Sequence, residues 1–588
     1  YAYLRRLEHR LQMVADEQTH LLPAEAEGLA AIACFMGYGT TDELARDVKF
    51  HLSRVESHYA ALFEDSPELG GSGGNLVFTG TEDDPDTLQT LSELGFSDGK
   101  AISATVRGWH HGRIRATRST RARELLTELM PGLLGALSQT VNPDAAFRHF
   151  DEFLTNLPAG VQLFSMFYAR PGLLDSLAEI MGSAPSLAEH LSRHPNLLDG
   201  VLTGQFYEPV GTVLELSENL GESLAAASDF QDVLDVARRW KHDREFQIGM
   251  QLLRAMISGE QAGAALSDVA DATLRGLLPH VETEFQRAHG EMPGGEFVIV
   301  GLGKLGGREM TFSSDLDVIF IYRGGRADQI QSEGPRPLPL SQYYGRLSQR
   351  LVTAVSALTP EGKLYEVDAR LRPSGNSSPL ASESEGFAEY HNKSAWTWEH
   401  MALTRARVIT GSPALGEHVT GVIRAVLAKP REDPALVIEV ASMRERIDKE
   451  RRTENLWKLK HVRGGLLDIE FIAQYLQLRD ASRHPEILSQ ETGLVLERLA
   501  RSGVMAAEDA ANLADAARLM RRLQALLRLT VGVSRDEDQY PAGVRQALAK
   551  AAGVETFDDV RDRLMKSEDS VRAYYARYVQ QPAEAGKV

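Results

Sequence analysis

Cysteine is almost missing from this 588-residue sequence. Cys34 stands alone, which excludes an internal disulfide and any thiolate cluster for zinc. No run of about 18 apolar residues occurs, so no membrane-spanning helix and no membrane partner are expected. No basic-then-apolar leader opens the chain, and a cytoplasmic protein is the expectation. Basic residues are also short: 64 Lys and Arg stand against 82 Asp and Glu, a formal net charge of −18. Long-range attraction to a polyanion is not expected of such a molecule, which argues against a nucleic-acid substrate. The one dense basic stretch, Arg113, Arg115, Arg118, Arg121 and Arg123, reads as a solvated helix face. No H-E-x-x-H or Ser-His-Asp order is present, and none of the 17 histidines falls in a ligand spacing. Tyr1 rather than Met opens the chain, so a fragment is expected.

What is there is helix, in quantity. With 43% hydrophobic residues and this length, three or four domains are expected. Residues 1–63 read as helices, with Leu4, Leu7 and Leu11 at helical spacing. A linker at 64–87 follows from PELGGSGG and TGTEDDPD. Amphipathic helices resume over 88–285, punctuated by Pro171, Pro185, Pro195 and Pro209. Strand signals concentrate in 286–412: FVIVGLG from Phe297, DVIFIY over 317–322, and KLYEVDARLR alternating over 363–372. A helical bundle is expected over 413–588, where Leu467, Phe471, Ile472, Tyr475 and Leu476 form one stripe. One long-range repeat runs across this layout. Leu4–Leu7 resembles Met520–Leu523, Gly37 aligns with Gly553, Leu44 with Val560, and VESHY at 55 with VRAYY at 571, all about 516 positions apart. DEQ near 16 and DED near 536 match after a short gap.

The chemistry-bearing stretch is VIVGLGKLGGREMTFSSDLDVIFIY. Gly301, Gly303 and Gly306 satisfy G-x-G-x-x-G, but seven residues between Gly307 and Asp315 are too few for the crossover helix of a dinucleotide fold. Leu305 occupies the place where a P-loop needs Ser or Thr. What remains is a Gly-Gly turn followed by Ser-Asp-x-Asp at the start of a strand. Side chains at i and i+2 share a face, so Asp315 and Asp317 present carboxylates together while Leu316 and Val318 turn inward. Adjacent carboxylates repel unless cations lie between them, and hard oxygen ligands suit Mg²⁺ carrying a nucleoside triphosphate. Gly306, Gly307, Ser313 and Ser314 would bring backbone and hydroxyls to the phosphates. The alternation of 364–372 places Glu366, Asp368, Arg370 and Arg372 on one face. Asp368 would complete a three-carboxylate cage for two metals, with Arg370 and Arg372 neutralising phosphate charge.

The order Gly-Gly, Asp-x-Asp and a third-strand Asp resembles the polymerase-β nucleotidyltransferase superfamily. GLGKLGGREMTFSSDLD, YEVDARLRPSG, AWTWEHMALTRARV and GGLLDIEFIAQYLQLR, running from Gly301 to Arg479, closely resemble glutamine synthetase adenylyltransferases. DEQTHLLP at 16–23 extends the likeness upstream. The resemblance implies an α+β, predominantly helical protein with a polymerase-β-like sheet flanked by helical domains. That family's chain has two homologous halves, one removing AMP from glutamine synthetase and one adding it, and this would account for the repeat. AWTWEHMALTRARV looks like the adding half, and residues 1–63 look like the end of the removing half. The implied reaction is transfer of AMP from MgATP to a tyrosine hydroxyl of glutamine synthetase, with release of pyrophosphate. Two Mg²⁺ ions on Asp315, Asp317 and Asp368 are implied, as are the PII signalling protein and glutamine as effectors.

Other residues are read with less reach. Trp396, Trp398, Glu399 and His400 lead to Arg405 and Arg407, which either reach the nucleotide or serve packing and surface pairing. Asp468 and Glu470 follow Gly464-Gly465 at a helix start, where acids favour the dipole. Three rival functions are phosphorolytic removal of AMP by the homologous half, RNA tailing, and a helical signalling scaffold with a dead site.

Overall fold

The computed structural model describes residues 2–15, 22–23, 25–64, 76–78, 83–140, 142–195, 197–198, 200, 205–324, 331–531, 537–540 and 542–587. The middle of the expected 64–87 linker, most of DEQTHLLP and part of the DED stretch lie outside the described residues. The chain divides into two compact units, Tyr1–Glu179 and Ile180–Val588. That division falls inside the stretch expected as the helical region 88–285.

The first unit is helical throughout its described elements. Ala2–Ala15, Ala26–Met36 and Thr41–Glu64 share a core of Leu7, Leu11, Ile32, Ala33, Leu44 and Val48. Later helices begin where a side chain caps the free amides: Asp98 accepts from Ala101 N, Ser119 from Ala122 N and Asn142 from Ala145 N. Trp109, Phe147, Phe150 and Phe153 pack together behind them. Arg113, Arg115, Arg118 and Arg121 are exposed, as a solvated face requires, while Arg123 donates to the carbonyls of Thr117 and Arg118.

The repeat read from sequence has a counterpart in hydrogen bonding. Gly37 ends Ala26–Met36 at φ 91°, and Gly553 ends Ala542–Ala552 at φ 66°. Gly37 N donates to Cys34 O and Tyr38 N to Ala33 O; Gly553 N donates to Lys550 O and Val554 N to Ala549 O. Thr40 and Glu43 then exchange backbone-to-side-chain bonds at the next helix start, and Thr556 and Asp559 do the same. Each pair of positions is separated by the same 516 residues.

The second unit holds the sheet. Strand β1 (Glu296–Gly301) pairs antiparallel with β2 (Leu316–Arg323), from Glu296↔Arg323 to Gly301↔Val318. Both are buried along nearly their whole length, which is why they read as continuous apolar runs. On the far side of β2 lie two short parallel partners, β3 (Val367–Asp368) and β4 (Ala381–Glu383). β5 (Arg407–Gly411) pairs antiparallel with β1. The antiparallel β1–β2 pair agrees with the exclusion of a dinucleotide crossover. Helix Gly259–His289, opened by a Ser258/Gln261 capping box, packs against Phe230–Leu253, against β5 and against Ala507–Thr530. Helix Leu466–Asp480 buries the expected stripe of Leu467, Phe471, Ile472, Tyr475 and Leu476 and most of its other faces as well, so it is a central helix.

The expected strand over 363–372 is only two residues long. Asp368 ends it: its carboxylate accepts from Arg370 N at 2.9 Å, drawing the backbone out of the ladder into a turn. Pro373, Ser374 at φ 60° and Gly375 at φ 54° carry the chain round. The strict alternation beyond Asp368 is therefore not realised as strand.

Candidate active site

Everything at the site is hung on the ends of β1 and β2. Leu302 N donates to Asp317 O at 2.8 Å, and Gly303 follows at φ 51°. A Cβ on Gly303 would overlap the Asp317 carboxylate, so both backbone conformation and space demand glycine there. The single helical turn Gly303–Gly306 leads to a second turn in which Thr311 N donates to Ser314 Oγ at 2.9 Å. This turn delivers Asp315 to the surface just before β2, with Leu316 and Val318 buried beneath.

Asp317 lies opposite Asp368 in the parallel β2–β3 register. Burial first, then the charges of Asp368 and Asp315, push the Asp317 carboxyl above its ordinary value, while Lys460 and Arg405 oppose the rise. Asp368 goes the other way: hydrogen bonds from Arg370, including Nε at 2.9 and 3.0 Å, hold it below the ordinary carboxylate range. Arg370 is itself largely exposed. Among the described residues no group of three acids or histidines converges as a ready metal cage, because Asp368 is turned to Arg370. The donor chemistry nevertheless suits a hard divalent cation. Asp317 and Asp368 face each other, Asp315 adds its charge to Asp317, and Arg370 supplies positive charge where a cation would neutralise them.

The remaining expected phosphate ligands are placed differently from one another. Ser313 is exposed, and Arg528 Nη1 lies 3.4 Å from its hydroxyl. The Ser314 hydroxyl is engaged inside its own turn. A Cβ on Gly306 would strike the Arg405 carbonyl, and one on Gly307 the Arg405 guanidinium. Their missing side chains thus make room for Arg405. Arg372 is buried and donates to the carbonyls of Ala369, Pro379 and Ser378 at 2.7, 3.1 and 3.3 Å, fixing the turn after β3 instead of reaching outward.

Sequence reasoning missed the scaffold under this loop. Arg405 is 7% exposed and pairs with Glu309 and, at 3.3 Å, with Glu470. Arg521 reaches Glu309 at 2.7 Å, and Thr492 N donates to it at 3.1 Å. Burial alone would raise the Glu309 carboxyl, but Arg405 and Arg521 overcome it and hold it well below the ordinary range. Arg407 clasps Asp271 and also donates to Gly306 O and Leu305 O. Arg405 and Arg407 are therefore paired inside the fold rather than at its surface. Partners lying 96 and 136 positions away leave no local signal. Asp468 likewise accepts from buried Arg444 and from Gly464 N. Trp396 is 69% exposed, contrary to core packing, while Glu399 is buried and accepts from Tyr390 Oη and Trp396 N.

Known proteins bear on this geometry. Residues 174–422 match the family model for glutamate-ammonia ligase adenylyltransferase. Residues 1–63 and 440–579 both match the model for GlnD PII-uridylyltransferase, so one model covers the two ends related by the repeat. The chain is 44% identical over 582 residues to the bifunctional glutamine synthetase adenylyltransferase/adenylyl-removing enzyme of Brucella suis, covering 98% of this chain and 59% of that protein. The enzymes of the same name from Mesorhizobium japonicum and Rhizobium meliloti are 44% and 41% identical, over 97% and 98% of this chain and 58% of each relative. The chain thus spans about three fifths of the length of the curated relatives it matches. With this identity across nearly its whole length, and with the sheet and Asp-x-Asp strand inside the matched segment, the chain belongs to the glutamine synthetase adenylyltransferase family.

Proposed function

We propose that this chain transfers AMP from MgATP to a tyrosine hydroxyl of glutamine synthetase and releases pyrophosphate. The observation that carries the reading is the facing of Asp317 and Asp368 across β2 and β3, with Asp315 one step before the strand and Gly303 beneath. Asp315, Asp317 and Asp368 would hold two Mg²⁺ ions, which when bound neutralise phosphate charge and make the attacking hydroxyl more acidic. The tyrosine oxygen forms a bond to the α-phosphorus as the bond to the bridging oxygen of pyrophosphate breaks. Asp368 accepts the hydroxyl proton. For that its carboxylate must be released by Arg370, whose exposed side chain is free to turn to the nucleotide's phosphates and so restore the basicity of Asp368. A loss of less than tenfold in rate for Asp368→Asn would count against this role.

The names of the relatives carry both directions of the reaction, and phosphorolytic removal of AMP is the second reading. The motif AWTWEHMALTRARV favours addition. Residues 1–63 are read as the tail of a homologous removing half, which the shared family match and the repeated turn and cap support. PII and glutamine are proposed as effectors, and the cytoplasm as the setting; no described helix is long and apolar enough to cross a membrane.

The test is label transfer from α-³²P-ATP and Mg²⁺ to unmodified glutamine synthetase, comparing this chain with its Asp315→Asn, Asp317→Asn double variant. Label on glutamine synthetase that disappears in the variant is the expected result. No label, together with phosphate-dependent release of ADP from adenylylated glutamine synthetase, reverses the direction in favour of removal.

A further inference from the structure

Cations around the loop 301–317 fall into two groups. Arg308, Arg405, Arg407 and Arg521 are each paired with an acid. Lys304, Lys460 and Arg528 are not: among the described residues none of them forms an ion pair, and the bonds seen for Lys304 Nζ and Arg528 Nη1 go to the hydroxyls of Thr311 and Ser313, each at 3.4 Å. All three are half-buried. They come from separate elements, and packing holds each in place. Lys304 precedes buried Leu305 in the single turn after β1; Lys460 follows buried Leu459, and its carbonyl accepts from Leu467 N at 3.2 Å; Arg528 sits between buried Leu527 and Leu529 in the last turn of Ala507–Thr530.

These charges feel one another. Burial first, then Lys460 and Arg528, bring the Lys304 amine down to about 8, with Glu470 opposing. Arg528 is lowered by burial, with Asp315 opposing. Lys460 in turn helps keep Asp317 ionised. Half-buried like charges that converge with no acid at ion-pair distance among the described residues raise the free energy of the empty fold, and an anion seated among them relieves all three. In a chain with net charge −18, such a cluster does not follow from composition.

We propose that Lys304, Lys460 and Arg528 form the seat for the β- and γ-phosphates of the nucleotide, so that the C-terminal helical region supplies two of the three charges holding substrate and leaving pyrophosphate. This rests on the nucleotidyl-transfer reading and relocates its phosphate ligands: Arg372 and the Gly306-Gly307 turn serve the scaffold, and the cations facing Asp315 and Asp317 serve the ligand. Lys304 and Arg528 also touch the 311–314 turn, so a seated phosphate chain would tie that turn against Asp315.

The probe is tripolyphosphate, with AMP as comparator, titrated calorimetrically into the full chain and into Lys460→Gln and Arg528→Gln. Lys304→Met is a third variant, but its enclosed position makes the other two decisive, and melting curves check each fold. Each removal should weaken tripolyphosphate roughly tenfold or more while AMP changes by less than about twofold, and Lys460→Arg should restore most of the loss. Equal losses for AMP and tripolyphosphate, or unchanged tripolyphosphate binding in both Gln variants, would overturn the seat. Selective loss of tripolyphosphate in a chain that moves no label onto glutamine synthetase would support the seat and remove the reaction assigned to it.

Discussion

The two sides of the loop 301–317 are built from the same residue types and behave oppositely. Beneath the loop, every arginine named is locked: Arg405 between Glu309 and Glu470, Arg407 on Asp271, Arg308 on Asp268. On the other side, Asp317 and Asp368 face each other, and among the described residues Lys304, Lys460 and Arg528 form no ion pair. Buried charge is tolerated where geometry satisfies it, and breaking such a pair leaves a costly uncompensated ion. Unbalanced charge persists only where something else completes it. The difference teaches how to tell charges spent on the scaffold from charges that the proposed nucleotide and metal would complete.

The largest effect should come from breaking the locked side. Glu309→Gln leaves Arg405 and Arg521 without their shared carboxylate and should destabilise the Ile180–Val588 unit by about 3–5 kcal/mol, measured by urea unfolding. Because the Glu309 carboxyl is depressed in the fold, its contribution is complete above the ordinary carboxylate range and is lost as pH falls through its own lowered value. The wild-type urea midpoint should drop steeply in acid, and the Glu309→Gln midpoint should drop less.

On the unbalanced side the sign reverses. Asp317→Asn should cut adenylyl transfer by roughly 10²–10³, yet raise the melting temperature of the ligand-free chain. The Asp317 carboxyl is raised in the fold, so its ionised form costs stability above the unfolded value, and the amide removes that cost. A fall in melting temperature would place Asp317 with the scaffold. Arg370→Ala should leave melting unchanged, let the Asp368 carboxyl return toward its ordinary value in a carbon-detected NMR titration, and raise KM for ATP more than it lowers kcat. The smallest effect is expected at exposed Trp396, where Ala should change stability by less than about 0.5 kcal/mol.

Much of the site was legible because its logic is local. Strand period predicts Asp315 and Asp317 side by side, and Asp317 lies in β2 with Asp315 one residue before it; the short Gly-Gly connection forbids a crossover helix whatever surrounds it. The two central strands announced themselves by unbroken apolar runs. The stretch after Asp368 misled for an equally local reason: alternation favours a strand, but an aspartate that accepts from the amide two residues on competes with the ladder and wins. The approach of Arg405 to Gly306 and Gly307 was not legible for a tertiary reason, since a glycine kept for an arginine's approach looks the same in sequence as one kept for a phosphate.

The sequence by itself determined that the chain is mostly helical, that one short sheet carries the Asp-x-Asp motif, and that elements recur 516 positions apart, because periodicity, turn chemistry and composition act over a few residues at a time. Only the tertiary structure decided which charges are paired within the fold and which are not. Arg405 and Lys304 are both cations within the motifs read from the sequence, and nothing adjacent to either tells them apart. Their difference lies in whether a carboxylate from a distant element closes to ion-pair distance: Glu309 and Glu470 do so on Arg405, while among the described residues none does so on Lys304, which lies beside Lys460 and Arg528.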